Sequence, residues 1–208
     1  MVDADVLKSL KPESLTGIAP RIRDGDLLLC SAHDPFSRLI GLSTHSPWTH
    51  VALAWRWPSL GRIMVFEAVQ KIGVRTVPMA TFLRQSSTGV KPYPGKIVLA
   101  RHRDFAKAHG GGEGARARRF ADFAVDKLGD PFSPIEVAKI GVRIGVGALG
   151  RKMPRSLGPR DEFICSEYVA RCFAAIGIQI AWDKEGFIAP ADFANDPKVA
   201  AIARFRTR

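Results

Sequence analysis

The sequence predicts one domain built of both strands and helices, and three observations predict it. The 208 residues are 46% hydrophobic and 25% charged, enough to fill one sizeable core. The first half holds apolar runs of strand length, among them Gly25-Asp26-Leu27-Leu28-Leu29-Cys30 and two runs that flank a Pro- and Gly-containing turn. The second half holds runs at helical spacing, one of which opens at Phe163-Ile164-Cys165-Ser166-Glu167-Tyr168-Val169.

Taken in order, residues 1–24 carry scattered polar residues, Pro12 and Pro20, and a short helix at Ala4 to Leu10. They read as a lead-in to a domain spanning 25–208. Gly25-Asp26 makes a turn into a buried strand ending at Cys30. Asp34 to Leu42 predicts a short helix, and Ser43 to Thr49 an irregular polar loop. His50-Val51-Ala52-Leu53-Ala54-Trp55 and Arg62-Ile63-Met64-Val65-Phe66-Glu67-Ala68-Val69 flank Trp57-Pro58-Ser59-Leu60-Gly61 and predict a hairpin. Val74 to Val77 adds a short strand, Met79 to Arg84 a short helix, and Lys96 to Arg101 another strand.

Gly110-Gly111-Gly112 breaks the chain without the spacing of a phosphate-binding loop. A helix follows from about Glu113 to Leu128, with Phe120, Phe123, Ala124 and Leu128 on one face. Residues 133–161 read as a basic, apolar insertion. Ile135 to Val146 is apolar and glycine-rich, no Asp or Glu occurs between Val137 and Arg160, and Arg151, Lys152, Arg155 and Arg160 close it. It is either a buried helix with a solvated tail or a lid or membrane-touching element. The helix of Cys165 then places Ile164, Tyr168, Val169, Phe173 and Ile176 on one face, with Gly177 as its stop. The end of the chain predicts a loop and a closing helix, Pro197 to Arg204.

The net charge of +11 attracts anionic lipid, anionic cell-wall polymer or nucleic acid and selects none of them. The basic stretches lack interleaved aromatics, so specific nucleic-acid binding is not expected. Three cysteines, Cys30, Cys165 and Cys172, are too few for a disulfide framework and point to a reducing compartment. The acidic start at Met1-Val2-Asp3-Ala4-Asp5-Val6 is unlike a secretory signal, and no window reaches the apolar length of a membrane span. A cytoplasmic protein is expected, with peripheral contact to an anionic membrane left open.

Cys165 falls in the first turn of its helix. Free N–H groups and the positive end of the helix dipole favour an anion there, which lowers a thiol pKa. The alternative is a small buried thiol used in packing. A cysteine nucleophile needs a base and a third group that orients the base. Of the five histidines, His33 and His109 sit in turn-like stretches and His102 ends a strand among basic residues. His50 differs, because it opens an apolar strand directly after a polar loop. Glu67 lies on the other arm of the hairpin between Phe66 and Ala68, where a carboxylate is not easily left to solvent. An odd cross-strand register puts His50 and Glu67 on one face. Cys172 gains no base and reads as packing. His45 and His50 are spaced too loosely for a zinc signature, and Gly-x-Ser-x-Gly is absent, so neither a metal, a cofactor nor a serine triad is expected.

These stretches together resemble a known group. Gly25-Asp26 with its strand, Thr44-His45-Ser46-Pro47-Trp48-Thr49-His50-Val51, Phe66-Glu67-Ala68-Val69, Leu128-Gly129-Asp130-Pro131-Phe132, Phe163-Ile164-Cys165-Ser166-Glu167 and Ala191-Asp192-Phe193 are similar, in this order, to motifs of the circularly permuted papain-like hydrolases of the NlpC superfamily, in the branch of YiiX and YaeF. The likeness runs from about residue 25 to 200. It implies an α+β fold in which an antiparallel sheet packs against the helix of the nucleophile. It also implies Cys165 as nucleophile, His50 as base and Glu67 as the group that orients the base, while His45 matches a recurrent position outside that trio. The length and basicity of 133–161 depart from the group's pattern. The implied activity is hydrolysis of an amide or ester in a peptide, cell-wall fragment or lipid. Alternatives are a thiol acyltransferase or phospholipase like the lecithin retinol acyltransferase group, and a non-catalytic lipid- or peptidoglycan-binding module.

Overall fold

A computed structural model of the protein describes residues 2, 4–32, 41, 44–70, 72–84, 92–107, 113–132, 164–181 and 188–207. The helix expected at Asp34 to Leu42, the insertion at 133–161, His33 and His109 lie outside the described residues or almost wholly so.

The architecture is α+β, a mixed seven-stranded sheet with helices against it. In chain order its elements are α1 (Ala4–Ser9), β1 (Pro12–Glu13), α2 (Leu15–Ile18), β2 (Asp26–Ser31), β3 (His50–Trp57), β4 (Arg62–Val69), β5 (Gly73–Pro78) and α3 (Met79–Phe82). Then come β6 (Lys96–His102), α4 (Arg103–Lys107), α5 (Glu113–Asp126), α6 (Cys165–Ala174), α7 (Pro190–Asn195) and β7 (Val199–Phe205). The sheet order is β1-β7-β6-β2-β3-β4-β5, antiparallel throughout except for the parallel β1–β7 pair.

The continuous apolar run of β2 follows from its place in the sheet. It pairs with β3 on one side and β6 on the other, and both its faces are covered, so all six of its residues are buried. Leu27, Leu29, Val51, Leu53, Phe66 and Ala68 meet Tyr168, Val169, Cys172 and Phe173 of α6 and Phe120 of α5 in one cluster. Leu28, Cys30, Ala52, Ala54 and Val65 form the other cluster with Ile18, Ile22, Met79 and Phe82. Asp26 is buried at the head of β2 because Arg101 of β6 grips both its oxygens, at 2.7 and 2.8 Å.

The expected closing helix at Pro197 to Arg204 is instead strand β7. Its alanines permit a helix, but β6 offers partners between Val199 and Arg204 and β1 a second one at Arg204 and Phe205, with Val199, Ala203 and Phe205 buried. Sheet pairing overrides weak local propensity here. The residues before Gly25 are tied to this body. Val2 is buried, its N–H donates to the Ala194 carbonyl at 2.7 Å, and its carbonyl accepts the indole N–H of Trp48 at 2.7 Å. Among the described residues, no helix is long and apolar enough to cross a membrane.

Candidate active site

Cys165 opens α6, and the sequence explains where this helix starts and stops. Ile164 holds an extended backbone before it, and its carbonyl accepts the N–H of Tyr168 at 3.0 Å. At the other end Gly177 adopts φ +80°, and the N–H of Ile178 returns to the Phe173 carbonyl at 3.0 Å, a left-handed cap that suits glycine. Between these ends Tyr168, Val169, Cys172 and Phe173 are all buried against the sheet. Ser166 ties the first turn to the following loop by donating to the Ile188 carbonyl at 2.7 Å. Asp192 in turn accepts the Ala189 N–H at 2.7 Å at the start of α7. Both residues belong to stretches read as motifs, and the roles seen for them are scaffolding.

His50 begins β3, and the loop before it is fixed by its neighbours. Trp48 is buried under the N-terminal residues, and Thr49 Oγ1 accepts the Ala32 N–H at 2.9 Å. The β3–β4 register pairs Leu53 with Phe66, an odd sum, so His50 and Glu67 fall on the same face as expected. Their side chains meet, with His50 Nε2 2.8 Å from Glu67 Oε2.

The two strands do not stay zipped at this end. Pairing of β3 with β4 stops at Leu53–Phe66, whereas β3 stays paired with β2 down to His50–Cys30, and β4 with β5 down to Val69–Gly73. β3 and β4 therefore part over residues 50–52 and 67–69. The Ala54 carbonyl accepts from Gly25 on the β2 side, so by alternation the Val51 N–H points toward β4, where the ladder has ended. The Val51 N–H and the Ser166 N–H are among the groups that favour the Cys165 thiolate. α6 packs against β3 and β4, and Cys165 at its start lies close enough to His50 for each to shift the other toward its charged form. Because Nε2 of the imidazole is held by Glu67, Nδ1 is the nitrogen left for the sulfur.

A residue missed in the sequence completes the chain. Arg75 lies directly across from Glu67 in the β4–β5 ladder and donates to Glu67 Oε1 from Nε at 2.9 Å and from Nη2 at 2.7 Å. Glu67 is only 3% exposed, and its two oxygens are divided between Arg75 and His50. The hairpin carried a usable signal. Gly73 adopts φ +92° against the Asp130 carbonyl and ends the turn, and counting back from it sets an arginine opposite the glutamate.

The electrostatics follow from these contacts. Burial raises the Cys165 thiol, but the positive His50, its hydrogen bond and the two backbone N–H groups outweigh burial and hold the thiol below its ordinary value. Burial likewise acts to lower His50. The Cys165 thiolate and Glu67 reverse this and lift the imidazole to about 10. Burial acts to raise Glu67, while His50 and Arg75 bring it below the ordinary carboxylate value. The shifts of Cys165, His50 and Glu67 all run toward their charged forms, and the Arg75 guanidinium closes the line. The other two thiols are opposites. Burial pushes Cys30 and Cys172 well up, and neither is given a base.

Two further histidines are described. His45 is exposed with φ +48°, and His102 is buried against Phe173 with ring centroids 5.6 Å apart.

No protein-family model and no curated protein matches the chain. Among solved structures, the crystal structure of metalloprotein yiiX from Escherichia coli O157:H7 is similar, with a TM-score of 0.59, 18% sequence identity and coverage of 88% of this chain and 97% of that one. The two chains share a fold. The metal is a property of that protein. Among the described residues here, no group of three or more His, Cys, Asp or Glu side chains could hold a metal ion.

Proposed function

We propose that the protein is a cysteine hydrolase with a permuted papain-like arrangement, acting on an amide or ester carbonyl through Cys165, His50 and Glu67. The observation that carries the reading is the buried line from the Cys165 sulfur through His50 to Glu67, in which the imidazole is held at 2.8 Å by the carboxylate and charged by both neighbours. A thiolate is the attacking form of cysteine, and an imidazolium is the proton donor that a poor leaving group needs.

The Cys165 sulfur attacks the carbonyl carbon, forming a C–S bond and a tetrahedral oxyanion. As that collapses, the C–N or C–O bond breaks and His50 passes its proton to the departing amine or alcohol. Neutral His50 then takes a proton from water, whose oxygen attacks the thioester, and the C–S bond breaks to release the acid and restore the ion pair. Glu67 keeps the ring oriented and favours its charged form, and Arg75 holds Glu67.

An activated ester such as p-nitrophenyl acetate tests this directly. The expected result is a burst of nitrophenolate equal to the enzyme present and an acetyl group on Cys165 by mass spectrometry. Cys165→Ser and His50→Ala should lose both. A burst that survives Cys165→Ser, or acetylation spread equally over the three cysteines, would refute the assignment.

A further inference from the structure

The tip of the β3–β4 hairpin plays no part in the site. It runs Trp57-Pro58-Ser59-Leu60-Gly61-Arg62, closed by the Trp57–Arg62 pair and by the Gly61 N–H on the Pro58 carbonyl at 3.0 Å. Gly61 takes φ +58°, so this is a tight turn. Yet it presents its two largest apolar side chains outward, Trp57 at 42% and Leu60 at 58% exposure. A formed hairpin that spends a tryptophan and a leucine on water invites a partner.

The charge around the tip says which partner. Arg56 and Arg62 flank it and are exposed, and no Asp or Glu occurs between Trp55 and Phe66. The turn before β2 lies alongside, because Asp24 Oδ1 accepts the Arg56 N–H at 2.6 Å and the Arg56 guanidinium donates to the Ala19 and Ile22 carbonyls. That turn adds exposed Arg23. Asp24 is the acid in contact with this group. An amphipathic indole and a leucine at the apex, ringed by arginines in a chain of net charge +11, match the boundary between lipid headgroups and acyl chains in an anionic bilayer.

We propose that the Trp57–Leu60 tip is a membrane anchor that inserts into the interface of anionic bilayers. His50 begins the strand that Trp57 ends, seven residues and about 23 Å away. Docking by the tip therefore ties the protein to the surface through the end of β3 opposite to the site. The anchor is independent of the cysteine chemistry, and Cys165→Ser should bind vesicles as the unaltered protein does.

Co-sedimentation with vesicles of phosphatidylcholine containing about 30% phosphatidylglycerol tests the anchor, read against vesicles of phosphatidylcholine alone. Binding should require the anionic lipid and weaken with salt. Trp57→Ser combined with Leu60→Ser should lower the partition coefficient by about tenfold or more, since two large apolar groups are lost. Bromine-labelled acyl chains should quench tryptophan emission in the unaltered protein and lose most of that effect in Trp57→Ser. Should the double variant fail to fold, Arg62→Glu carries the test and should also weaken binding. Absence of vesicle binding at low salt would overturn the proposal. So would anionic binding unaffected by the double variant, which would make it a matter of net charge alone.

Discussion

Removing the imidazole is the sharpest perturbation of the site, and alkylation of Cys165 reads its effect. At pH 6 a thiol with an ordinary pKa of about 8.5 is ionised to about 0.3%, whereas a thiolate paired with imidazolium is ionised almost fully, a ceiling of about 300-fold. A stabilised thiolate is also a weaker nucleophile, which returns about threefold for each pKa unit of depression. His50→Ala should therefore slow iodoacetamide labelling of Cys165 by roughly 10- to 100-fold at pH 6. The sign follows from the two shifts. Cys165 is held below its ordinary value and His50 is lifted to about 10, so the labelling rate of the unaltered protein should level off at a lower pH than that of a free thiol. Without His50, burial is left as the main influence and pushes the thiol up, so the rate should climb about tenfold per pH unit. Cys30 and Cys172 should stay silent throughout the range. An unaltered protein whose rate inflects in the ordinary thiol range and overlays His50→Ala would refute the reasoning.

Arg75→Gln should destabilise the fold by about 1–2 kcal/mol in urea unfolding. It leaves Glu67 Oε1 without its charged donors, and the value is kept small because Arg75 is 37% exposed and water replaces part of the contact. Glu67, depressed in the folded state, contributes stability that is lost as pH falls through its folded pKa, and in Arg75→Gln this loss should begin at higher pH. Arg75→Lys should recover only part of the effect, since one ammonium cannot reproduce the two-armed contact. His102 supplies a second pH effect. Burial holds it below 6.5 despite Asp196 and Asp104, so on acidification the unfolded chain takes up the proton first and stability should fall below about pH 6.5. His102→Gln should flatten that fall, and an unchanged slope between pH 6.5 and 5 would assign it to other groups.

The hairpin was legible because its two arms and the turn between them are local, and a carboxylate between Phe66 and Ala68 stands out against its neighbours. Gly177 was legible for the same reason, since a helix stop needs only one residue able to adopt the left-handed backbone. The end of the chain was not. Val199 to Arg204 is alanine-rich and compatible with either state, and what decides is a pairing with β6, about a hundred residues earlier. Arg75 lay within reach of the hairpin count, but its worth depends on Glu67 being buried, which comes from packing that no local pattern contains. The nearness of Cys165 to His50 was expected from motif order, while the parting of β3 from β4 beside them depends on contacts between segments far apart in the chain.

The parting of β3 from β4 makes the Val51 amide a contested group. The same N–H that would extend the ladder toward β4 is one of the groups that favour the Cys165 thiolate. A zipped sheet and a stabilised thiolate thus draw on one hydrogen. Substitutions that favour closure, far from Cys165 in sequence and touching none of its side-chain partners, would raise the Cys165 thiol by taking that hydrogen back.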